Sequence, residues 1–205
     1  QGKFELDTDF ETLLLNDDYL LAGKEGGIFC FHFDGKKYRP VWQKLIDGVV
    51  DFDSKDKEIA VGTTGKSMFF VDLETGDTKQ KWEGTLGQYQ RPHYHSTENW
   101  LAVNSFEGDV VMYDRELKKK RYAVKIENND IRDIAFSKDG NVMGVIGNDF
   151  VVRLYNIKPK KEEKLFDIYT LKEQGMVAMN KEGYYQSTKN AHQNLAYQFK
   201  GKIYS

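Results

Sequence analysis

The chain repeats one short motif at a nearly constant interval, and this interval constrains the fold more than any other feature. Each copy is an apolar segment that ends in Asp or Asn, and the clearest three copies end at Asp72, Asp114 and Asn156. Their spacing is 42 residues both times, and an earlier copy ends at Asp34, 38 residues before Asp72. Each repeat of about forty residues is too small to bury its apolar surface alone, so it must pack against the next one.

A period of about 40 to 45 residues built from short strands predicts an all-β fold, a β-propeller of WD40 type with four-stranded antiparallel blades. In the second repeat we predict strands at 49–53, 58–62, 67–72 and 78–82, because turn-forming residues separate these apolar segments. The third and fourth repeats divide in the same way, with strands at 91–95, 100–104, 109–114 and 121–126 and at 131–136, 142–146, 150–156 and 164–168.

Residues 1–169 are predicted to form propeller blades, with repeats near 11–46, 47–87, 88–127 and 128–169. Residues 170–205 depart from the pattern and are interpreted as a divergent closing blade or a capping module of the same domain. About five blades are then visible, which fits either a compact five-bladed ring or the C-terminal part of a ring of about six to eight blades. The pattern is already under way at Gln1, and this favours the larger ring.

A bulky apolar residue also recurs in the outermost predicted strand. Trp42, Trp82, Val124 and Phe166 follow one another at spacings of 40, 42 and 42 residues. The recurrence predicts that these side chains pack between neighbouring blades.

Composition limits the partners and the location of the chain. The net charge of −2, with acidic and basic residues interspersed, argues against nucleic acid and against a membrane surface as partners. The single Cys30 excludes an internal disulfide, and no apolar run is long enough to span a membrane. We expect a cytoplasmic protein, and the missing native N-terminus leaves the periplasm open.

The last thirty residues carry a second pattern, whose members are Glu182, Gly183, Tyr184, Tyr185, Ser187, Leu195, Tyr197, Gly201, Lys202 and Tyr204. It resembles the module that follows the repeats in bacterial WD40-repeat proteins of the divergent WD40 or YVTN-like kind. The chain departs from that family where Asn180-Lys181 replaces Thr-Pro and Tyr197 replaces Trp, and the Trp-Asp dipeptide itself is absent from its repeats. The resemblance implies a propeller with a scaffold role, sometimes joined to a caspase-like peptidase or a signalling domain, and it transfers no catalytic residue.

Two small groups of residues could carry chemistry. His93 and His95 alternate on one predicted strand, as two zinc ligands would, but the other two histidines belong to distant segments, so no metal or cofactor is predicted. Asp51, Asp53 and Asp133 lie on predicted inner strands, where a propeller hydrolase would place its carboxylates. Aligning the repeats puts Asp51 with His93 and Ile134, and Asp53 with His95 and Phe136. No ring of acids results, and structural aspartates are the favoured interpretation.

Two basic turns occupy equivalent places in successive repeats. Lys118-Lys119-Lys120-Arg121 and Lys158-Pro159-Lys160-Lys161 both lie between the predicted third and fourth strands. They are interpreted as solvated turns, with contact to an acidic partner or phosphate as the alternative.

The favoured function is a noncatalytic protein–protein interaction scaffold that uses the rim loops and the channel mouth to bind another protein or another domain of the same polypeptide. One alternative is a sensor or regulatory propeller of a bacterial signalling or defence protein with a separate effector domain. The other is a propeller hydrolase or lyase. Candidate partner-binding residues are of the types enriched at binding hot spots or lie beside them, and they are Tyr89, Arg91, His93, Tyr94, His95 and Trp100.

Overall fold

The computed structural model describes residues 9–65, 67–83, 91–104, 108–126, 131–158, 161–171, 175–192, 197–199 and 202–204. The chain divides into two compact units. The first unit comprises residues 1–95 and 99–127, and the second comprises residues 96–98 and 128–205.

The described part of the first unit contains three antiparallel sheets of four strands, each a simple meander along the chain. The first sheet consists of β1 (Thr12–Asn16), β2 (Tyr19–Lys24), β3 (Gly27–Phe33) and β4 (Tyr38–Leu45). The second consists of β5 (Val49–Lys55), β6 (Glu58–Thr63), β7 (Ser67–Asp72) and β8 (Thr78–Glu83). The third consists of β9 (Pro92–Tyr94), β10 (Trp100–Asn104), β11 (Asp109–Asp114) and β12 (Lys119–Lys125).

The second unit contains a sheet of six strands. Its members are β13 (Ile131–Phe136), β14 (Val142–Gly147), β15 (Val152–Lys158), β16 (Lys161–Thr170), β17 (Met176–Met179) and β18 (Tyr185–Ser187). A short helix α1 (Lys189–His192) and a hairpin of β19 (Tyr197–Phe199) and β20 (Lys202–Tyr204) follow. The segment after Thr170 therefore begins as a continuation of the fourth sheet, because β17 pairs directly with β16.

The strand predictions agree closely with these bounds. All four strands of the second sheet begin at the predicted residues, and every predicted strand of the third and fourth repeats is present. Strand β12 begins at Lys119, two residues earlier than predicted, so most of the first basic turn belongs to a strand. The helix α1 was not predicted, since its four residues are too few to show a helical period.

The repeated aspartate caps the turn between the third and fourth strands of a sheet. Asp72 Oδ1 accepts hydrogen bonds from the backbone N–H groups of Glu74 and Thr75, both at 2.9 Å, and its other oxygen lies 2.8 Å from Lys79 Nζ. Asp34 pairs with Arg39 in the same way, and Asp114 pairs with Arg121 at 2.8 Å. The motif recurs because a short carboxylate satisfies turn N–H groups and a cation at the start of the next strand.

The fourth repeat differs because its hairpin is longer. Asn156 lies inside the β15–β16 ladder opposite Glu163, so it does not need to cap a turn, and an acid there would face another acid. The extension also shifts the outer strand. Ile168 pairs with Val152 and thus occupies the place of Trp82, whereas the predicted Phe166 is 42% exposed. The prediction that Phe166 packs at this position is therefore wrong, and Ile168, two residues later, takes its place.

The second sheet is buried on both faces within the first unit. One core cluster joins Leu21 and Ile28 of the first sheet to Ile59 and Val71 of the second. Residues on the other face of the second sheet, Phe70 among them, form another cluster with the third sheet. Two-sided burial explains why β6 is a nearly continuous apolar run rather than an alternating one.

Replacement of Phe70 by alanine should strongly destabilise the first unit. The ring is fully buried and meets Trp82 edge to face at 4.8 Å between centroids, so Phe70→Ala should lower the free energy of unfolding by about 3–5 kcal/mol. Leu45→Ala is the matched control, since Leu45 is 84% exposed and should change stability by less than about 0.5 kcal/mol. Urea denaturation measures both, and equal losses would contradict the assignment of the core.

The capped turn at Asp72 should make stability depend on pH. Lys79 and the N–H groups of Thr75 and Glu74 lower the pKa of Asp72 to about 2, below the value of about 3.9 for an unfolded chain. The carboxylate therefore stabilises the fold above about pH 4, and this contribution is lost as the pH falls toward 2. Asp72→Asn keeps the turn acceptor but cannot titrate, so its melting temperature should fall less steeply than that of the wild type between pH 4 and pH 2. Lys79→Gln should produce a smaller change of the same sign, and parallel melting curves for all three proteins would refute the role of Asp72.

Candidate protein-binding surfaces

The innermost strands of the three sheets in the first unit are joined by side-chain hydrogen bonds. Thr12 Oγ1 of β1 donates to Asp51 Oδ1 of β5 at 2.9 Å, and the backbone N–H of Tyr94 in β9 donates to Asp53 Oδ2 at 2.7 Å. Asn16 Nδ2 reaches Ser54 Oγ at 2.9 Å. Each polar group joins the equivalent strand of the next sheet.

A partly buried ionic network links the second and third sheets. Tyr94 Oη donates to Glu58 Oε1 at 2.7 Å, and the same carboxylate forms an ion pair with Arg115, whose side chain is 9% exposed. Arg115 also donates to Gln80 Oε1 at 3.0 Å, and its guanidinium carbon lies 3.5 Å from the centroid of the Phe70 ring. Burial, followed by the negative charge of Glu58, raises the pKa of Tyr94, so the phenol stays protonated and acts as a donor.

The two outer-strand tryptophans of the first unit pack on the following sheet, as predicted for this position. Trp42 Nε1 donates to the carbonyl oxygen of Leu73 at 2.9 Å. Trp82, at the equivalent position, lies 5.7 Å from the Tyr113 ring and 5.3 Å from the Arg115 guanidinium carbon. Arg115 follows Asp114 just as Leu73 follows Asp72 in the previous repeat. A charged residue in place of this leucine was the one sign in the sequence that could have pointed to the ionic network.

Three of the candidate partner-binding residues have structural roles. Tyr94 belongs to the ionic network. His95 and Trp100 are 2% and 9% exposed, and their tilted rings contact each other at 5.0 Å between centroids. His95 closes the β9–β10 turn by donating its backbone N–H to the carbonyl of Trp100 at 3.0 Å. Arg121 lies 4.3 Å above the Trp100 ring. These contacts fix the shape of the turn, and the predicted partner-binding role of the three residues stays a prediction.

Arg91 and His93, like Tyr94, are half-buried candidates. The backbone N–H of Arg91 donates to Asn104 Oδ1 at 2.7 Å, which fixes the start of β9. His93 pairs with Ala102 across the sheet and favours the ionised form of Asp53. Tyr89 lies outside the described residues, so its predicted place beside Arg91 stays a prediction.

The register of the inner-strand acids differs from the predicted alignment. A β-bulge precedes both Asp51 and Asp133, so these two are equivalent, while Asp53 is equivalent to His93. The predicted alignment of Asp51 with His93 and Ile134 is therefore wrong, because it assumed unbulged strands. Asp51 also accepts from its neighbour Phe52 N–H at 2.9 Å, and burial raises the pKa of Asp53.

The part of the chain that the structure describes contains neither a cluster of metal ligands nor an accessible thiol. Within those residues, no group of three or more His, Cys, Asp or Glu side chains could hold a metal ion. Cys30 is buried, and burial raises the pKa of its thiol to about 12. The Sγ atom lies 3.7 Å from the Leu73 carbonyl oxygen, which makes Cys30 a packing residue between the first two sheets.

A cleft of about 510 Å³ opens beside the first basic turn. It is lined by residues 80–83 of β8, by Tyr113 at the end of β11, and by residues 118–120, three exposed lysines where β12 begins. Lys118 has a positive φ of 51°, which ends the turn and directs the chain into β12. The second basic turn includes Pro159 and Lys160, which lie outside the described residues. Among the helices that can be described, none is long and apolar enough to cross a membrane.

No protein-family model and no curated protein sequence matches the chain. Solved structures do. The chain matches Hsv2 of Kluyveromyces lactis with a TM-score of 0.60 and 12% identity over 90% of this chain and 73% of that one. It matches the WD40 domain of Toxoplasma gondii coronin with a TM-score of 0.65 and 13% identity over 86% of this chain and 58% of that one. It also matches a chain of a mitotic checkpoint complex with a TM-score of 0.66 and 10% identity over 87% of this chain and 62% of that one.

These similarities identify the fold alone, since few residues are shared. The four meandering sheets are those of a WD40-like β-propeller, and the fold class predicted from the repeat is confirmed.

The hydrogen bond from Tyr94 to Glu58 should contribute measurably to stability. Tyr94→Phe leaves the ring in place and removes only a donor to a charged acceptor, so the free energy of unfolding should fall by about 1.5–3 kcal/mol. Tyr184→Phe is the control, because Tyr184 is 76% exposed. A double-mutant cycle with Glu58→Met, which keeps the length of the side chain but cannot accept the bond, measures the coupling between the two side chains, and a coupling near zero would refute the contact.

Proposed function

We propose that this chain is a noncatalytic scaffold that binds another protein or another domain of the same polypeptide. One observation carries the proposal: the inner-strand polar groups that an enzyme would direct at a substrate are used here to join neighbouring sheets. Asp51 accepts from Thr12, and Asp53 accepts from the Tyr94 N–H. A propeller hydrolase or lyase, the other class considered, would need those carboxylates to face a substrate.

The fold supports the same function. A propeller holds the turns of successive sheets in fixed positions, and binding residues are commonly placed on turns that a rigid framework positions. One of the matched chains belongs to a mitotic checkpoint complex, which is a protein assembly. A sensor or regulatory role in a bacterial signalling or defence protein is the more specific version, and the terminal pattern from Glu182 to Tyr204 supports it. The buried thiol of Cys30 suits a cytoplasmic location, with the periplasm as the alternative.

The proposed contact surface lies at the start of the third sheet. Arg91 and His93 are half-buried there, and Tyr89 precedes them in the sequence. Arginine and tyrosine concentrate binding energy at protein interfaces, because each combines a large contact area with polar groups. Tyr94, His95 and Trp100 complete the proposed set.

A capture experiment tests the surface. The purified chain serves as bait in a lysate of its source organism, and bound proteins are quantified by mass spectrometry. Tyr89→Ala/Arg91→Ala should reduce capture of the specific partner about tenfold or more while leaving the melting temperature nearly unchanged. Tyr38→Ala/Arg39→Ala is the matched control, since it removes the same residue types from the outer strand of the first sheet. Undiminished capture by the Tyr89/Arg91 variant would show that the surface is wrongly placed.

A further inference from the structure

The cleft beside the first basic turn runs along the edge of a strand. Side chains alternate between the two faces of a sheet, so a cleft on one face meets only every second residue. This cleft is lined by four consecutive residues, Gln80 to Glu83, of β8. It therefore follows the edge of β8, where backbone N–H and C=O groups lie within reach of a second chain.

Strand β8 is the outer strand of the second sheet. Among the described strands it pairs only with β7, and the strand order β5-β6-β7-β8 leaves its other edge at the border of the sheet. An extended peptide can add to such a border by completing the ladder of backbone hydrogen bonds.

The charge around the cleft selects the peptide. Lys81, Lys118, Lys119 and Lys120 contribute four positive charges to the lining, and Glu83 contributes the one negative charge. Glu83 is already paired with Lys81. The three lysines at the start of β12 therefore face the occupant as the principal charges, and they favour carboxylates.

The floor of the cleft is aromatic. The rings of Trp82 and Tyr113 contact each other at an interplanar angle of 54° and are 8% and 7% exposed. This floor suits the apolar residues that alternate with acids in an extended segment. Nucleic acid fits poorly, because bases stack on open ring faces, which these rings do not offer. The described lining also contains no arginine, the residue best suited to holding a phosphate with two hydrogen bonds.

We propose that the cleft binds an extended acidic segment of a partner protein, which adds to the edge of β8 as a fifth strand and directs alternate carboxylates at Lys118–Lys120. The inference rests on the proposed scaffold function and names the chemistry of one partner. It uses a surface other than the one around Arg91, so the two can fail separately.

The probe is a fluorescein-labelled synthetic peptide that alternates glutamate with valine, and fluorescence anisotropy measures its binding to the whole chain. The peptide should bind, and its affinity should weaken as salt is raised. Lys118→Glu/Lys120→Glu should weaken binding about tenfold or more, since two attractive contacts become repulsive. Lys36→Glu/Lys37→Glu reverses two exposed lysines in the equivalent turn of the first sheet and should leave affinity unchanged.

Two further peptides test the mode of binding. The same sequence with alternate backbone nitrogens methylated cannot complete a ladder and should lose binding, and a lysine–valine peptide should not bind. Failure of the glutamate peptide to bind, equal binding by the methylated peptide, or equal losses in both lysine variants would overturn the proposal. Tighter binding of a single-stranded oligonucleotide through Lys118 and Lys120 would overturn it as well. None of these results alters the outcome of the Tyr89/Arg91 experiment.

Discussion

Hydrogen bonds between equivalent inner strands are the constraint on which the first unit depends. Thr12 bonds to Asp51, and Asp53 receives the Tyr94 N–H, across sequence separations of 39 and 41 residues. Such a bond can form only if each repeat brings the chain back to the equivalent position in the first strand of the next sheet. The nearly constant period in the sequence is thus the length of chain needed to go out through four strands and back to the innermost position.

The same constraint explains what could be predicted. Strands and turns depend on residues close in sequence, and the alternation of apolar residues with Gly, Asp and Asn located them to within about two residues in most cases. The bulges before Asp51 and Asp133 were missed because a bulge depends on the pairing with the next strand and not on the pattern of its own strand. The bond from Tyr94 to Glu58 was missed because its partner lies 36 residues away and leaves no local signal. The longer β15–β16 hairpin was also missed, because adding one residue pair to both strands of a hairpin leaves the alternation of apolar residues in each strand unchanged.

The candidate site shows this limit most clearly. Residue types enriched at interfaces led to Tyr94 and Trp100, yet aromatic residues are equally suited to packing between sheets, and sequence alone does not separate the two uses. The more telling signal was a residue out of character with its repeat. Arg115 stands where Leu73 stands one repeat earlier, and it pairs with the half-buried Glu58 and packs near Trp82, which also lines the lysine-rich cleft.

The two strands added to the fourth sheet have a consequence for solubility. Strand β16 is ten residues long, and without β17 its outer edge would be a long row of open backbone groups, the kind of edge on which chains aggregate. β17 pairs with residues 167–170 of β16, so along that part of the edge the border of the sheet moves to β18, a strand of three residues that is too short to template much pairing. Residues 176–187 thereby guard the C-terminal part of β16 against edge-to-edge association.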